Sequence, residues 1–217
     1  MPQTVPEFSW YLFDADGTLF DTTDMIVECF QHTAGVYELP VPDRNAIIRH
    51  IGMTLRRQME QYFGTMDDER FDRFRLTHME YQLQIYKDHL QLCTGVAEAL
   101  KLLNEREKGC AVVTSRMTET LTLYLRETGI YDYFKVLITP EATTKHKPDP
   151  EPAFAAMAQM EASAAETLFI GDATFDVECG SRAGCATAFV AWSHTGRDEL
   201  TRKPDYFLND MRDICQW

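Results

Sequence analysis

Five short apolar runs punctuate the chain: residues 10–14 (WYLFD), 110–114 (CAVVT), 135–139 (KVLIT), 167–172 (TLFIGD) and 186–192 (ATAFVAW). They are rich in Val, Ile, Leu and Phe and lack polar alternation. A strand with one wet face alternates, whereas a strand covered on both faces reads as a continuous apolar run. The runs therefore predict a parallel sheet clothed by helices on both sides. Helical patterns lie between them. Val96, Leu100 and Leu103 form one stripe within residues 95–106. Asp149 is placed to cap a further helix, with Pro150 at its first position, running to about Met160. Strand and helix in alternation predict an α/β fold with a Rossmann-like, doubly wound parallel sheet. Ligands in such sheets sit beyond the carboxyl ends of the strands, near the switch in strand order.

Residues 22–90 break this rhythm, because no run there reads as a strand. Leu76, Met79, Leu83, Tyr86 and Leu90 recur at 3-4-3-4 spacing and predict a helix whose stripe is the core of a helical lobe. Residues 43–50 and 54–63 read as shorter helices around the turn HIGMT. The expected organisation is an α/β core of residues 1–20 and 91–217, with an all-helical insertion over 21–90.

No apolar run approaches the roughly 18 residues that span a membrane, and the N-terminal MPQTVPEFSW has neither a basic nor an apolar signal region. Six scattered cysteines without a CxxC pair predict buried thiols of a cytoplasmic protein, neither a disulfide framework nor a zinc site. The formal charge of −13 repels phosphate backbones and argues against nucleic acid as a partner. A small anionic substrate would need a local cation or metal within that field.

Such a site is foreshadowed at the strand ends. Asp14 and Asp16, then Gly17-Thr18, follow the first strand; Thr114-Ser115 follow the second. The loop after the third carries Lys145 and Lys147-Pro148, and the fourth leads into Asp172 and Asp176. A parallel sheet brings all four clusters to one edge. Together they suit phosphoryl transfer. A carboxylate can attack phosphorus, and a hard divalent ion, magnesium above all, can bind carboxylates and phosphate oxygens together. A hydroxyl, free backbone amides and a lysine can take the transferring oxygens. Lys145 and Lys147 both compete for that lysine's role. Asp21 reads either as a helix N-cap near the hinge or as a group facing the substrate.

In these four clusters the sequence resembles the haloacid dehalogenase superfamily, in the helical-cap branch that includes phosphoglycolate phosphatase and beta-phosphoglucomutase. The matching motifs are Asp14-Ala15-Asp16-Gly17-Thr18, Thr114, Lys147-Pro148 and Gly171 to Asp176. The resemblance implies a magnesium-dependent phosphatase for a small phosphorylated metabolite, working through an aspartyl phosphate. Asp14 would be nucleophile and metal ligand. Asp16 would be the general acid and base, its backbone carbonyl also on the metal. Thr114 and Lys147 would join in catalysis. Gly17, Thr18 and Ser115 would bind phosphate. Asp172 would complete the Mg2+ site, with Asp176 a ligand through water or a supporting group. Arg56 and Arg57 follow the HIGMTL loop; one of them would meet an anionic part of the substrate, or both are exposed helix charges. Phosphoglycolate, a sugar phosphate and pyrophosphate all suit this reading, in a monomer or homodimer.

Two alternatives are a phosphomutase and a non-catalytic phosphate-binding regulator. Mutases of the beta-phosphoglucomutase type carry a cap histidine 12 residues after the nucleophile, where this chain has Ile26. Dehalogenase chemistry is disfavoured by Asp16, and phosphonatase chemistry by the lack of lysine between residues 22 and 86. Intact acids and Lys147 oppose the silent regulator.

Overall fold

The computed structural model describes residues 4–216. In chain order it contains strand β1 (Trp10–Phe13), strand β2 (Phe20–Asp21), helices α1 (Thr23–Val36), α2 (Arg44–His50), α3 (Leu55–Phe63) and α4 (Asp68–His89), and strand β3 (Gln91–Leu92). Then follow α5 (Val96–Glu105), β4 (Gly109–Val113), α6 (Thr118–Glu127), β5 (Val136–Ile138), α7 (Glu151–Met160), β6 (Thr167–Gly171), α8 (Thr174–Arg182), β7 (Ala186–Val190) and β8 (Tyr206–Leu208). Six strands form one sheet in the order β5-β4-β1-β6-β7-β8, and every pairing in it is parallel. The chain winds from β1 to one edge and then from β6 to the other, so the switch in direction falls beside β1.

The absence of alternation in the strands has a direct cause. Tyr11 and Phe13 enter one apolar cluster, shared with Val112 and Ile170. Leu12 enters a second on the other face, with Ala111 and Phe169. Successive side chains point to opposite faces, and both faces are buried.

Helices α1 to α4 fall between β2 and β3, which pair antiparallel as a two-residue ribbon, Phe20 with Leu92 and Asp21 with Gln91. This ribbon carries the chain out to the helices and back. Asp21 is therefore part of the crossing and not a helix cap. The helices have their own apolar cluster around Phe30, Ile47, Met59 and Phe74. Asp43 and Asp67 cap α2 and α4 by accepting from Ala46 N (3.1 Å) and Arg70 N (2.8 Å). The expected α4 stripe splits. Met79 and Tyr86 are buried, but Leu76 and Leu83 are 50% and 40% exposed. Only part of α4 is covered by α1 and α3, so half of a regular stripe faces outward. Helix α7 begins one residue later than the Asp149-Pro150 pattern predicts, yet Asp149 still accepts from Glu151 N at 3.0 Å. Among the described residues no helix is long and apolar enough to cross a membrane.

Candidate active site

Asp14 directly follows β1, between the ends of β4 and β6. Its backbone N–H donates to Ile170 O at 2.9 Å, which continues the sheet by one step and holds the carboxylate at its edge. The Asp14 residue is 3% exposed. Lys147, from the loop before α7, places Nζ 2.5 Å from Asp14 Oδ1 and 2.6 Å from Asp176 Oδ1. Asp176 Oδ2 accepts from Ala173 N at 3.0 Å, so this acid also closes the first turn of α8. Asp172 directly follows β6, its carbonyl oxygen held by Ser193 Oγ at 2.5 Å.

Asp14, Asp172 and Asp176 can each bring a carboxylate oxygen within 4.8 Å of the others. Among the described residues, Lys147 is their one close cation. Burial pushes Asp14 up to about 7, with Asp176 and Asp16 adding to the rise and Lys147 opposing it. Burial, then Asp14 and Asp176, raise Asp172 well above the usual carboxylate range. Burial disfavours the Lys147 ammonium, but Asp14 and Asp176 outweigh it and its pKa is raised. One ammonium among three buried acids leaves the group under-compensated. That donor set, all hard oxygen, fits a divalent ion such as magnesium, which would draw the acids back to their charged forms.

Asp16 stands apart from this cluster. Its carboxylate is gripped by Arg116, through Nε at 2.9 Å and Nη2 at 2.5 Å, and by Thr22 Oγ1 at 2.5 Å. Thr114 Oγ1 accepts from Arg116 N at 3.1 Å. Asp14, Asp16, Thr114, Ser115 and Arg116 line one side of a cavity of ≈ 60 Å³; Ile26, Phe30, Gly52, Gln58, His78 and Gln82 line the helical side.

Four residues expected to contact substrate or phosphate have polar groups engaged within the protein. Arg56 is bound to Asp68 (2.7 Å), Glu60 (3.3 Å) and Met66 O (3.0 Å) and lies over the Phe71 ring. It ties α3 to α4 and does not line the cavity, because acids on its own helices are nearer than any ligand. Ser115 spends its hydroxyl on Gly52 O at 2.6 Å, across the gap to the helical lobe. Gly17 N–H donates to Phe20 O at 2.8 Å and Thr18 N–H to Ala15 O at 3.3 Å, so the turn itself consumes the amides expected to bind phosphate. Thr18 Oγ1 is buried without a partner. Gly17 has another role. Its φ is +79°, and a Cβ there would run into the Asp172 carboxylate, so glycine lets β1's loop lie against the acid cluster. Lys145 is exposed and pairs with Asp149.

Arg116 and Thr22 are the residues that motif reading passed over. Arg116 lies two positions past Thr114 on the same strand-end loop, and a cation there was the available signal. Nothing local marks Thr22 as the partner of Asp16.

A doubly wound parallel sheet with buried acids and a lysine at the carboxyl edge of its central strands, roofed by helices, defines a carboxylate-centred α/β enzyme. The chain belongs to the haloacid dehalogenase-like hydrolases, whose family model matches residues 11–190. It is 34% identical over 204 residues to the pyrophosphatase PpaX of Anoxybacillus flavithermus, covering 94% of this chain and 93% of that one. A haloacid dehalogenase-like hydrolase from Bacteroides fragilis superposes with a TM-score of 0.85 at 27% identity, over 94% of this chain and 98% of that one. A predicted phosphoglycolate phosphatase from Haemophilus somnus shares the fold, with a TM-score of 0.84 at 22% identity over 97% and 98% of the two chains.

Proposed function

We propose that this hydrolase is a magnesium-dependent phosphatase that cleaves a small phosphorylated metabolite through an aspartyl phosphate on Asp14. The observation that carries this reading is the Asp14 carboxylate, held 2.5 Å from Lys147 within the buried acid cluster and open to the cavity. Magnesium bound by Asp14, Asp172 and Asp176 would screen these acids and hold a phosphoryl oxygen. One Asp14 oxygen attacks phosphorus while Lys147 steadies the other and neutralises charge on the transferring group. The Thr114 hydroxyl, at the same edge, serves a phosphoryl oxygen. Asp16 gives a proton to the leaving oxygen, then takes one from the water that frees Asp14. Ile26 supports hydrolysis over a mutase, since it lines the cavity with an apolar side chain where a mutase needs an acid–base group.

Pyrophosphate is the second substrate reading, favoured by the name of the Anoxybacillus relative. The test is phosphate release from 4-nitrophenyl phosphate, phosphoglycolate, a hexose phosphate and pyrophosphate, with magnesium and with a chelator. Metal-dependent release, with phosphate trapped on Asp14 after an acid quench, is expected. No release from any of them, or release unaffected by the chelator, would overturn the proposal.

A further inference from the structure

The chemistry above makes no use of Arg116. Its side chain is 5% exposed and lies against the Tyr124 ring, 4.6 Å from the centroid. Nη1 reaches Thr120 Oγ1 at 3.3 Å, while Nε and Nη2 grip Asp16. Asp16 is its one ion-pair partner among the described residues. That partner is also the group that must serve the leaving oxygen, and to do so it has to turn away from the guanidinium. A buried cation stripped of its counter-charge is strongly unfavourable.

The helical wall opposite offers no second anion. Its polar contributions to the cavity are Gln58, His78 and Gln82. His78 is uncharged, since burial, with Arg116 and His32 nearby, pushes it down to about 3. Gln58 and His78 are both more than nine-tenths buried, yet Gln58 Oε1 and His78 Nδ1 have no partner. The Gln58 amide nitrogen is already committed to Met53 O at 2.9 Å. Buried polar atoms are rarely left unpaired, and these two lie on the same cavity as the Arg116 guanidinium. The cavity of ≈ 60 Å³ suits a small group beyond the reacting phosphorus.

We infer that Arg116 is the receptor for a small oxyanion, a carboxylate or a second phosphoryl group, on the leaving side of the substrate, and that Asp16 holds its place in the free enzyme. The inference rests on the reading of Asp14 and Asp16 given above. The substrate's oxyanion takes the guanidinium and Asp16 turns to the scissile oxygen; no covalent bond changes in this exchange. His78 and the Gln82 amide complete the anion's shell. Gln58 Oε1 is an acceptor, so the only part of an oxyanion it can pair with is a hydroxyl, such as that of a protonated phosphate. A substrate with an uncharged leaving group leaves Arg116 without a replacement and reacts slowly.

Two measurements test this. The first compares kcat/KM for phosphoglycolate and pyrophosphate with that for glycerol phosphate and ethyl phosphate. A preference of about tenfold or more for the charged leaving groups is expected, the size a charge-assisted hydrogen bond supplies. Arg116→Gln should erase that preference, and the more responsive of the two charged substrates identifies the anion. Because Arg116→Gln also removes a buried ion pair and can fail to fold, the second measurement keeps Arg116 intact. Glycolate should bind Asp16→Asn about tenfold more tightly than the parent by calorimetry, since the competing carboxylate is gone, and an added Arg116→Gln should reverse the gain. Equal kcat/KM on charged and uncharged leaving groups, or an unchanged glycolate affinity in Asp16→Asn, overturns the assignment. No turnover of any phosphate ester, 4-nitrophenyl phosphate included, would instead overturn the phosphatase reading itself.

Discussion

Asp14 is an acid in a setting that resists its charge, and this makes its behaviour with pH readable. Its ordinary value is 3.8, and burial raises it to about 7 in the folded chain. An acid raised in this way contributes stability in full below its unfolded value and loses that contribution as pH rises through the folded one. The metal-free protein is therefore expected to lose melting temperature between about pH 4 and pH 8 more steeply than Asp14→Asn, which carries no titrating group there. Parallel Tm curves for the two proteins would contradict this. The same substitution removes the proposed nucleophile, so turnover should fall by on the order of 10⁴-fold or more, while Lys147 keeps Asp176 as a partner and the fold survives. Gly17→Ala makes a second test at this scale. The strained φ of +79° and the collision with Asp172 should displace the acid cluster, and the half-saturating magnesium concentration for activity should rise about tenfold or more.

At the scale of elements, one contact between the helical lobe and the α/β core is open to mutation. Ser115 Oγ donates to Gly52 O at 2.6 Å, and Gly52, at φ +101°, lets its loop settle where a Cβ would lie 3.1 Å from Phe175 Cδ2 and 3.3 Å from Ala173 Cβ. Ser115→Ala removes one hydrogen bond, worth about 1 kcal/mol, and should lower kcat/KM by roughly fivefold. Gly52→Ala adds both backbone strain and a clash, so its loss should be the larger. An unaltered kcat/KM in both variants would mean that this contact does not bear on the working conformation. The same region shows where periodicity misled. Leu76 and Leu83 obey the helical spacing of a core stripe, but spacing reports one face of a helix and not how much of it a neighbour covers. Arg56 follows the loop that borders the cavity, yet Glu60 and Asp68 are nearer and take it. The β2–β3 ribbon is two residues long on each side, too short for any pattern to register.

At the scale of the whole molecule, a chain of net charge −13 buries three acids against one lysine, and a divalent cation would relieve that imbalance where it is most concentrated. Magnesium should therefore raise the melting temperature as well as permit turnover. A ligand bound only by the folded state at 100 times its Kd adds about 2.7 kcal/mol. Asp172→Asn should abolish most of the rise, and a full rise in that variant would remove Asp172 from the metal site. The sequence by itself determined five of the six strands of the main sheet, their parallel arrangement and the grouping of Asp14, Lys147, Asp172 and Asp176 at one edge. Those features rest on burial of both sheet faces and on placement at strand ends, both of which leave a periodic or positional mark along the chain. Only the tertiary structure decided that Arg116 and Thr22 hold Asp16, that Ser115 reaches Gly52, that the Gly17-Thr18 amides are consumed within their own turn, and that Gln58, His78 and Gln82 face the same cavity as Asp14. These are contacts between elements far apart in the chain or competitions between equally plausible partners. Distance in space settles them, and a one-dimensional pattern does not record it.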